Sequence, residues 1–337
     1  MKKGITVAGN IIADIIKMID LYPEKGRLST IYSVSKSVGG CVPNTGVTLA
    51  RLGGVPVKAS AKAGADENGR FILDLLQKEG IDIGSVSSVA GADTSFTDVM
   101  TVQGTGERTF FNTKGTNASF CPADVDANAR DCSIFHIGYI LLLDAFDAAD
   151  SRFGTVLAGF LHDLQEKGIK TSIDVVSNSA DRFREKVLPA LKYSDYAVLN
   201  EIEAGLATGI EPRRADGSPD LDRVERIARA FLRIGVKKAV IHCPEGGFCA
   251  DAASGAFTAV PSLLLPRDYI KGAVGAGDAF SAGFLYAAYK GFSDGEALEF
   301  ASLTAAANLS SYDSIGGARA FAETTKLGRL YPRRSFN

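Results

Sequence analysis

Asp278 stands between a turn of small residues, Gly275-Ala276-Gly277, and an apolar stretch, AFSAGFLYAAY, that carries no further charge until Lys290. A helix starting at such a turn presents unpaired backbone N–H groups and the positive end of its dipole. Glycine lets the backbone approach an anion closely, so the turn reads as a cradle for a phosphate or an oxyanion. A carboxylate beside that cradle would repel a phosphate that was only being bound. It makes sense beside a hydroxyl that attacks the phosphate. Asp278 would take the hydroxyl proton while Gly275, Ala276 and Gly277 neutralise charge on the phosphoryl group in transfer. The plainer alternative is an acid favoured by the helix dipole, worth about 0.3–1 kcal/mol, and GAGD alone leaves that alternative ahead. The turn has neither the GK[ST] ending of a Walker A loop nor the G-x-G-x-x-G of a dinucleotide fold.

Such a turn needs a scaffold. Short apolar runs at 5–9, 57–64, 132–138, 170–176, 196–200 and 238–243 predict strands. Between them, residues 43–53, 67–80, 151–168 and 221–235 carry helical periodicity and end at glycine. The alternation predicts a parallel sheet covered on both faces, with ligands collecting at the carboxyl ends of the strands. Asn200, at the end of YAVLN, and Asp14, after ITVAG, fall where that rule expects a site.

Two stretches break the rhythm. LSTIYSVSKSV (28–38) and TSFTDVMTVQGTGERTFFN (94–112) are rich in Thr, Val, Ser and aromatics, and GTGE at 104–107 predicts a β-hairpin. They predict a small second sheet, inserted at about 15–38 and 94–116, that covers a cleft as a lid. Phe110 and Phe111 are adjacent on a strand, so one of them faces the cleft. IEPRRADGSPD (210–220) reads as a polar surface loop.

The chain has 337 residues, 46% of them hydrophobic, and a net charge of −2. That is enough for one large domain, 1–337, and the mixed charge argues against a nucleic-acid face. No apolar run is long enough for a membrane span. The N-terminus reads as a first strand rather than a signal peptide. Five scattered cysteines and three scattered histidines, with no CxxC, argue against a zinc site and a disulfide framework; the expected compartment is the cytoplasm.

Four stretches, in order, resemble the ribokinase-like (PfkB-type) carbohydrate kinases: GNIIADII (9–16), GGCVPNTGVTLARLGGVPVKASAKAGADENGR (39–70), NEIEA (200–204) and GAVGAGDAFSAGF (272–284). The resemblance runs from about residue 4 to residue 320. It implies a three-layer αβα sandwich with a mostly parallel central sheet plus a small β-sheet lid. It implies ATP-dependent phosphorylation of a primary hydroxyl of a sugar, with Asp278 as base and the amides of 275–277 as anion hole. Asp14 and Asn44 would hold substrate hydroxyls, with Gly39-Gly40 allowing close backbone approach. Asn200 and Glu203 would organise the ATP phosphates and Mg²⁺ through waters, with no direct protein ligand to the metal. The physics agrees: a carboxylate accepts two hydroxyls, an amide donates and accepts, and Mg²⁺ keeps many of its waters. ATP would lie near 200–247 and 300–312, with Pro244, Gly247 and Asn308 as contacts.

Two departures bear on this. The family's Asp-Thr ahead of GAGD is Gly272-Ala273 here, which argues against activation by a monovalent cation; Lys271 would supply the missing positive charge in its place. In IHCPEGG (241–247), Pro244 replaces the first glycine of the nucleotide-side turn. On the lid, Arg108 is a candidate contact to phosphate or to an anionic substrate, with a solubilising surface role as the plainer reading; Asp144 is a weaker candidate on the substrate side. A nucleoside kinase would need aromatic stacking from Phe96, Phe110 or Phe111. A non-catalytic sensor on the same fold would have no use for Asp278. Exposed lid edges could pair two chains into a homodimer.

Overall fold

The computed structural model describes residues 3–176 and 183–336; the ends of the expected 1–337 domain and residues 177–182 lie outside them. The chain opens with β1 (Ile5–Gly9), then β2 (Ile12–Ile19) and β3 (Ile31–Gly39), α1 (Cys41–Leu52), β4 (Val57–Gly64), α2 (Glu67–Lys78) and β5 (Asp82–Val89). The hairpin β6 (Phe96–Val102) and β7 (Arg108–Thr113), a short α3 (Ala127–Arg130) and β8 (Ile134–Ile140) follow. A two-residue pair, β9 (Ala149–Asp150) and β10 (Gly154–Thr155), leads into α4 (Val156–Glu166) and β11 (Lys170–Val175). After α5 (Phe183–Leu191) come β12 (Tyr196–Asn200), α6 (Glu201–Thr208), α7 (Leu221–Ile234), β13 (Lys238–Cys243), β14 (Gly246–Asp251) and β15 (Phe257–Pro261). Helices α8 (Ala276–Lys290), α9 (Asp294–Asn308) and α10 (Phe321–Leu330) finish the chain.

Nine strands form one sheet in the order β15-β14-β13-β12-β11-β8-β1-β4-β5. It is parallel except where β14 runs against β13 and β15. Side-chain alternation divides the sheet between two apolar cores. Ala197, Leu199, Ala239 and Ile241 enter the core under α4, α5 and α7, whereas Val198 and Val240 enter the core under α1, α8 and α9. This is the three-layer αβα arrangement expected. A separate four-stranded sheet, β3-β2-β6-β7, takes its strands from the two irregular stretches.

Helix α4 is shorter than its periodicity suggested. Gly154 adopts φ +89° and Thr155 caps the helix through the Ala158 N–H, so Phe153 lies outside it. The 210–220 loop is more than a polar surface connection. Arg213 Nη2 reaches Glu201 Oε1 at 2.5 Å and Glu245 Oε2 at 3.2 Å, tying the loop to the start of α6 and to the β13–β14 turn.

Candidate active site

Helix α8 begins at Gly275, whose φ of +75° and whose backbone, with Ser314 O only 2.5 Å from where a Cβ would lie, both require glycine. The Ala276 N–H closes the turn onto Ala273 O at 3.2 Å. That departs from its expected role as a free anion-hole donor. Gly277 N–H lies in the first turn, where a helix supplies no i−4 carbonyl from within itself. Helix geometry then sets Asp278 one position further on, buried at 8% exposure.

The Asp278 carboxylate has a specific partner on each oxygen. Tyr139 O–H donates to Oδ1 at 2.7 Å, and Asn44 Nδ2 donates to Oδ2 at 3.1 Å. Burial pushes the group up to about 6, while the hydrogen bonds from Tyr139, Asn44 and Thr45 pull it back down. Asp174, at the end of β11, is raised well above the carboxylate range by burial first and then by the charges of Asp278 and Glu203. The side-chain hydrogen bonds to Asp278 favour its charged form, whereas at Asp174 burial and the neighbouring charges outweigh the bond it accepts from the Val175 N–H at 2.7 Å.

The cleft in front of Asp278 has a volume of about 860 Å³. Asp14, Gly39, Gly40, Asn44, Tyr139 and Asp174 line it on the substrate side. Asp14 is on β2, in the lid sheet, where its backbone pairs with Thr97 of β6 and Ser37 of β3. Burial raises it to about 6 against the pull of Thr97 and Arg108. Gly39 lets Asp14 lie close against the backbone, since a Cβ there would come within 2.5 Å of Asp14 Oδ2 and push that carboxylate aside.

The lid contributes one face only. Register puts Asp14, Thr97 and Asn112 side by side, and Thr97, Phe110 and Asn112 line the cleft. Phe111 faces the other way, into a hollow with Ile19, Ile31 and Met100. Phe96 packs into the core beneath α1, so neither it nor Phe111 is available for stacking in the cleft. Arg108 lines a narrow recess beside Asp14 and approaches Tyr312 O at 3.5 Å. Asp144 is half-exposed, is ion-paired with Lys114 and does not line the cleft.

A second cavity of about 530 Å³ lies on the other side of the glycine turn. Pro244, Leu263, Ala276, Ala305, Ala306 and Leu309 give it a largely apolar lining, and it falls in the region where the nucleotide was expected. Asn200, His242 and Gly277 line both spaces, so the two meet at the head of α8. Asn200 and Glu203 form a reciprocal cap on α6: Asn200 Oδ1 accepts from Glu203 N at 2.9 Å, and Asn200 N donates to Glu203 Oε2 at 3.1 Å. His242 stacks near Phe280, with ring centroids 4.9 Å apart, and burial holds it neutral at about 4.

Two expected nucleotide contacts are placed otherwise. Gly247 lies inside β14, where a Cβ would meet the Phe280 ring at 2.7 Å; it serves packing. Asn308 is buried, and its Nδ2 donates to Val274 O at 2.8 Å, so it holds the glycine turn from behind. The Lys271 side chain is exposed, while its backbone N–H bonds Leu309 O at 2.8 Å.

Among the described residues, no group of three or more His, Cys, Asp or Glu side chains could hold a metal directly. Glu203, on the cleft wall with Asn200, fits a hydrated Mg²⁺ whose remaining oxygens come from water and phosphate. Among the described residues, no helix is long and apolar enough to cross a membrane.

Residues 3–319 match the family described as pfkB family carbohydrate kinase. Fructokinase-1 of Oryza sativa subsp. japonica is 28% identical over 273 residues, covering 78% of each chain. An ATP-dependent ribose-1-phosphate kinase of Halopiger xanaduensis is 26% identical over 82% of each. Among solved structures, Arabidopsis thaliana ribokinase complexed with ribose and ATP superposes with a TM-score of 0.79 at 20% identity, covering 97% of this chain and 99% of that one. A Methanocaldococcus jannaschii nucleoside kinase of the ribokinase family gives 0.71 at 18%, covering 97% and 98%. With that match over nearly its whole length, and with the fold those neighbours share, the chain belongs to the pfkB family of carbohydrate kinases and is an ATP-dependent sugar kinase.

Proposed function

We propose that the protein transfers the γ-phosphoryl group of ATP to a primary hydroxyl of a neutral sugar held between lid and sheet. The observation that carries this reading is that Asp278 and Gly277 stand where the lid-covered cleft meets the apolar second cavity. A sugar in the first space and a nucleotide in the second bring acceptor oxygen and terminal phosphate to one point. Asp278 accepts the hydroxyl proton, and the Gly277 N–H with the α8 dipole stabilises charge on the transferring group. Asp14, Thr97 and Asn112 offer acceptors and donors to the remaining sugar hydroxyls. Magnesium, when bound with ATP, neutralises phosphate charge, and Glu203 with Asn200 would orient its water shell.

Charge favours a neutral acceptor. Asp14, Glu203 and Asp278 line the cleft, and no Lys or Arg among the described residues does. Arg108 is confined to the side recess. A screen of ADP release over D-fructose, D-ribose, ribose 1-phosphate, a sugar acid and nucleosides tests this. Turnover with a neutral sugar supports it; turnover confined to nucleosides or anionic sugars contradicts it. The exposed edge strand β3, with Ile31, Tyr32 and Val34 open to solvent, supports pairing of two copies through the lid, which sedimentation at graded concentration tests.

A further inference from the structure

Tyr139 is the penultimate residue of β8 and lines the cleft, and nothing in the sequence marks it: it sits in the apolar run IFHIGYILLL. Its hydroxyl donates to Asp278 Oδ1 at 2.7 Å and accepts from Asn44 Nδ2 at 3.3 Å. Those are the two hydrogen bonds that an acceptor hydroxyl needs here, one to the base and one from the amide. We propose that the Tyr139 hydroxyl stands in for the acceptor hydroxyl in the sugar-free enzyme and guards Asp278 against water, so that only a molecule anchored elsewhere in the cleft can take its place.

The selectivity follows from the number of anchors. A sugar brings several hydroxyls, which Asp14 and, two strands across the same sheet, Asn112 can hold while one hydroxyl displaces or shares the phenol's place on Oδ1. Water brings a single oxygen and gains nothing elsewhere. The phenol is also a poor competitor as a nucleophile. It sits half-buried beside Asp278, the Cys41 thiol and Asp174, and its proton is held more tightly than in free tyrosine, by desolvation first and by those neighbours next. Tyr139 can therefore occupy the acceptor position without surrendering its proton. The inference rests on the kinase reading and adds to it a residue that separates transfer from wasteful hydrolysis.

Tyr139→Phe keeps the ring and deletes the oxygen, leaving space for a water against Asp278 and Asn44. Two rates are measured with MgATP: ADP release without sugar, and ADP release at saturating D-fructose or D-ribose, whichever the wild type uses faster. The expected result is a transfer-to-hydrolysis ratio lowered about fivefold or more, the scale of one lost hydrogen bond, with sugar-free ADP release raised. A ratio within about twofold of wild type overturns the guard, whatever happens to the absolute rates, because a merely structural loss lowers both together. Tyr139→Leu, which also removes the ring's polar end, must lower the ratio too; a Leu variant with an unchanged ratio likewise overturns it. A wild type that transfers to no neutral sugar overturns the proposed acceptor and the guard with it, and that result is distinct from transfer that the substitution leaves equally well coupled.

Discussion

Asn44 and Asp278 lie 234 residues apart and meet at 3.1 Å, each at the start of a buried helix. The amide has a second neighbour, the Tyr139 hydroxyl at 3.3 Å, so one side chain fixes both the base and the phenol against it. On the proposed reading, Asn44 acts on the base as well as lining the cleft. Asn44→Ala should lower kcat about tenfold or more, the scale of a hydrogen bond to a charged group. It should also raise the pH at which activity fails, since that bond holds the Asp278 pKa down. A substitution that raised only KM for the sugar, with the pH profile unmoved, would confine Asn44 to substrate contact.

The base works only when ionised. Burial holds Asp278 at about 6, so kcat/KM for the sugar should fall as pH drops through about 6 and level off above 7. Stability runs the other way. A carboxyl whose folded pKa is raised contributes favourably below its unfolded value near 3.8, and that contribution is lost as pH rises through about 6. Asp278→Asn should therefore melt higher than wild type at pH 8, with the gap narrowing toward pH 5. A melting difference independent of pH would contradict the buried, ionised carboxylate.

Asp14 is held in the lid sheet, away from the nucleotide cavity. Asp14→Ala should raise KM for the sugar by about tenfold or more while leaving KM for ATP within about twofold. Equal loss on both substrates would mean that the change perturbs lid closure rather than sugar binding.

Much of this was legible in the residues. Strands β1, β4, β12 and β13 span the residues expected, since central strands covered on both faces carry mostly buried apolar or small residues between turn signals. Edge strands β5 and β15 escaped, since DIGSVSSV and FTAVP are half-exposed and mix small, polar and apolar residues. Asp278 stood out by its glycine turn, Asp14 by its place after the first strand and Asn44 by the family resemblance, and the structure places all three on the cleft wall. Tyr139 and Asp174 were missed because each lies at the end of an apolar strand and reads as core. Only the register of β8, β11 and α8 brings them to the carboxylate. Asp144 shows the converse: its position after ILLL suggested the cleft, but the chain turns at Leu141–Leu143, held by Asp147, and sends Asp144 out toward Lys114.

Behind the glycine turn, Gly272 and Ala273 provide no side-chain oxygen, and the Asn308 amide bonds Val274 O in their vicinity. Protein groups thus brace the turn. Replacing K⁺ by tetramethylammonium in the assay should leave the rate within about twofold. A strong, saturable requirement for K⁺ would show that backbone carbonyls alone build a cation site there.

The central claim is that Asp278 takes the acceptor proton at the junction of the two cavities. The direct measurement is single-turnover phosphoryl transfer by Asp278→Asn, with sugar and nucleotide affinities determined separately by calorimetry. Transfer slowed by about 10²–10⁴-fold, with both affinities held within a few fold, is the predicted result. Transfer at the wild-type rate in that variant would contradict it.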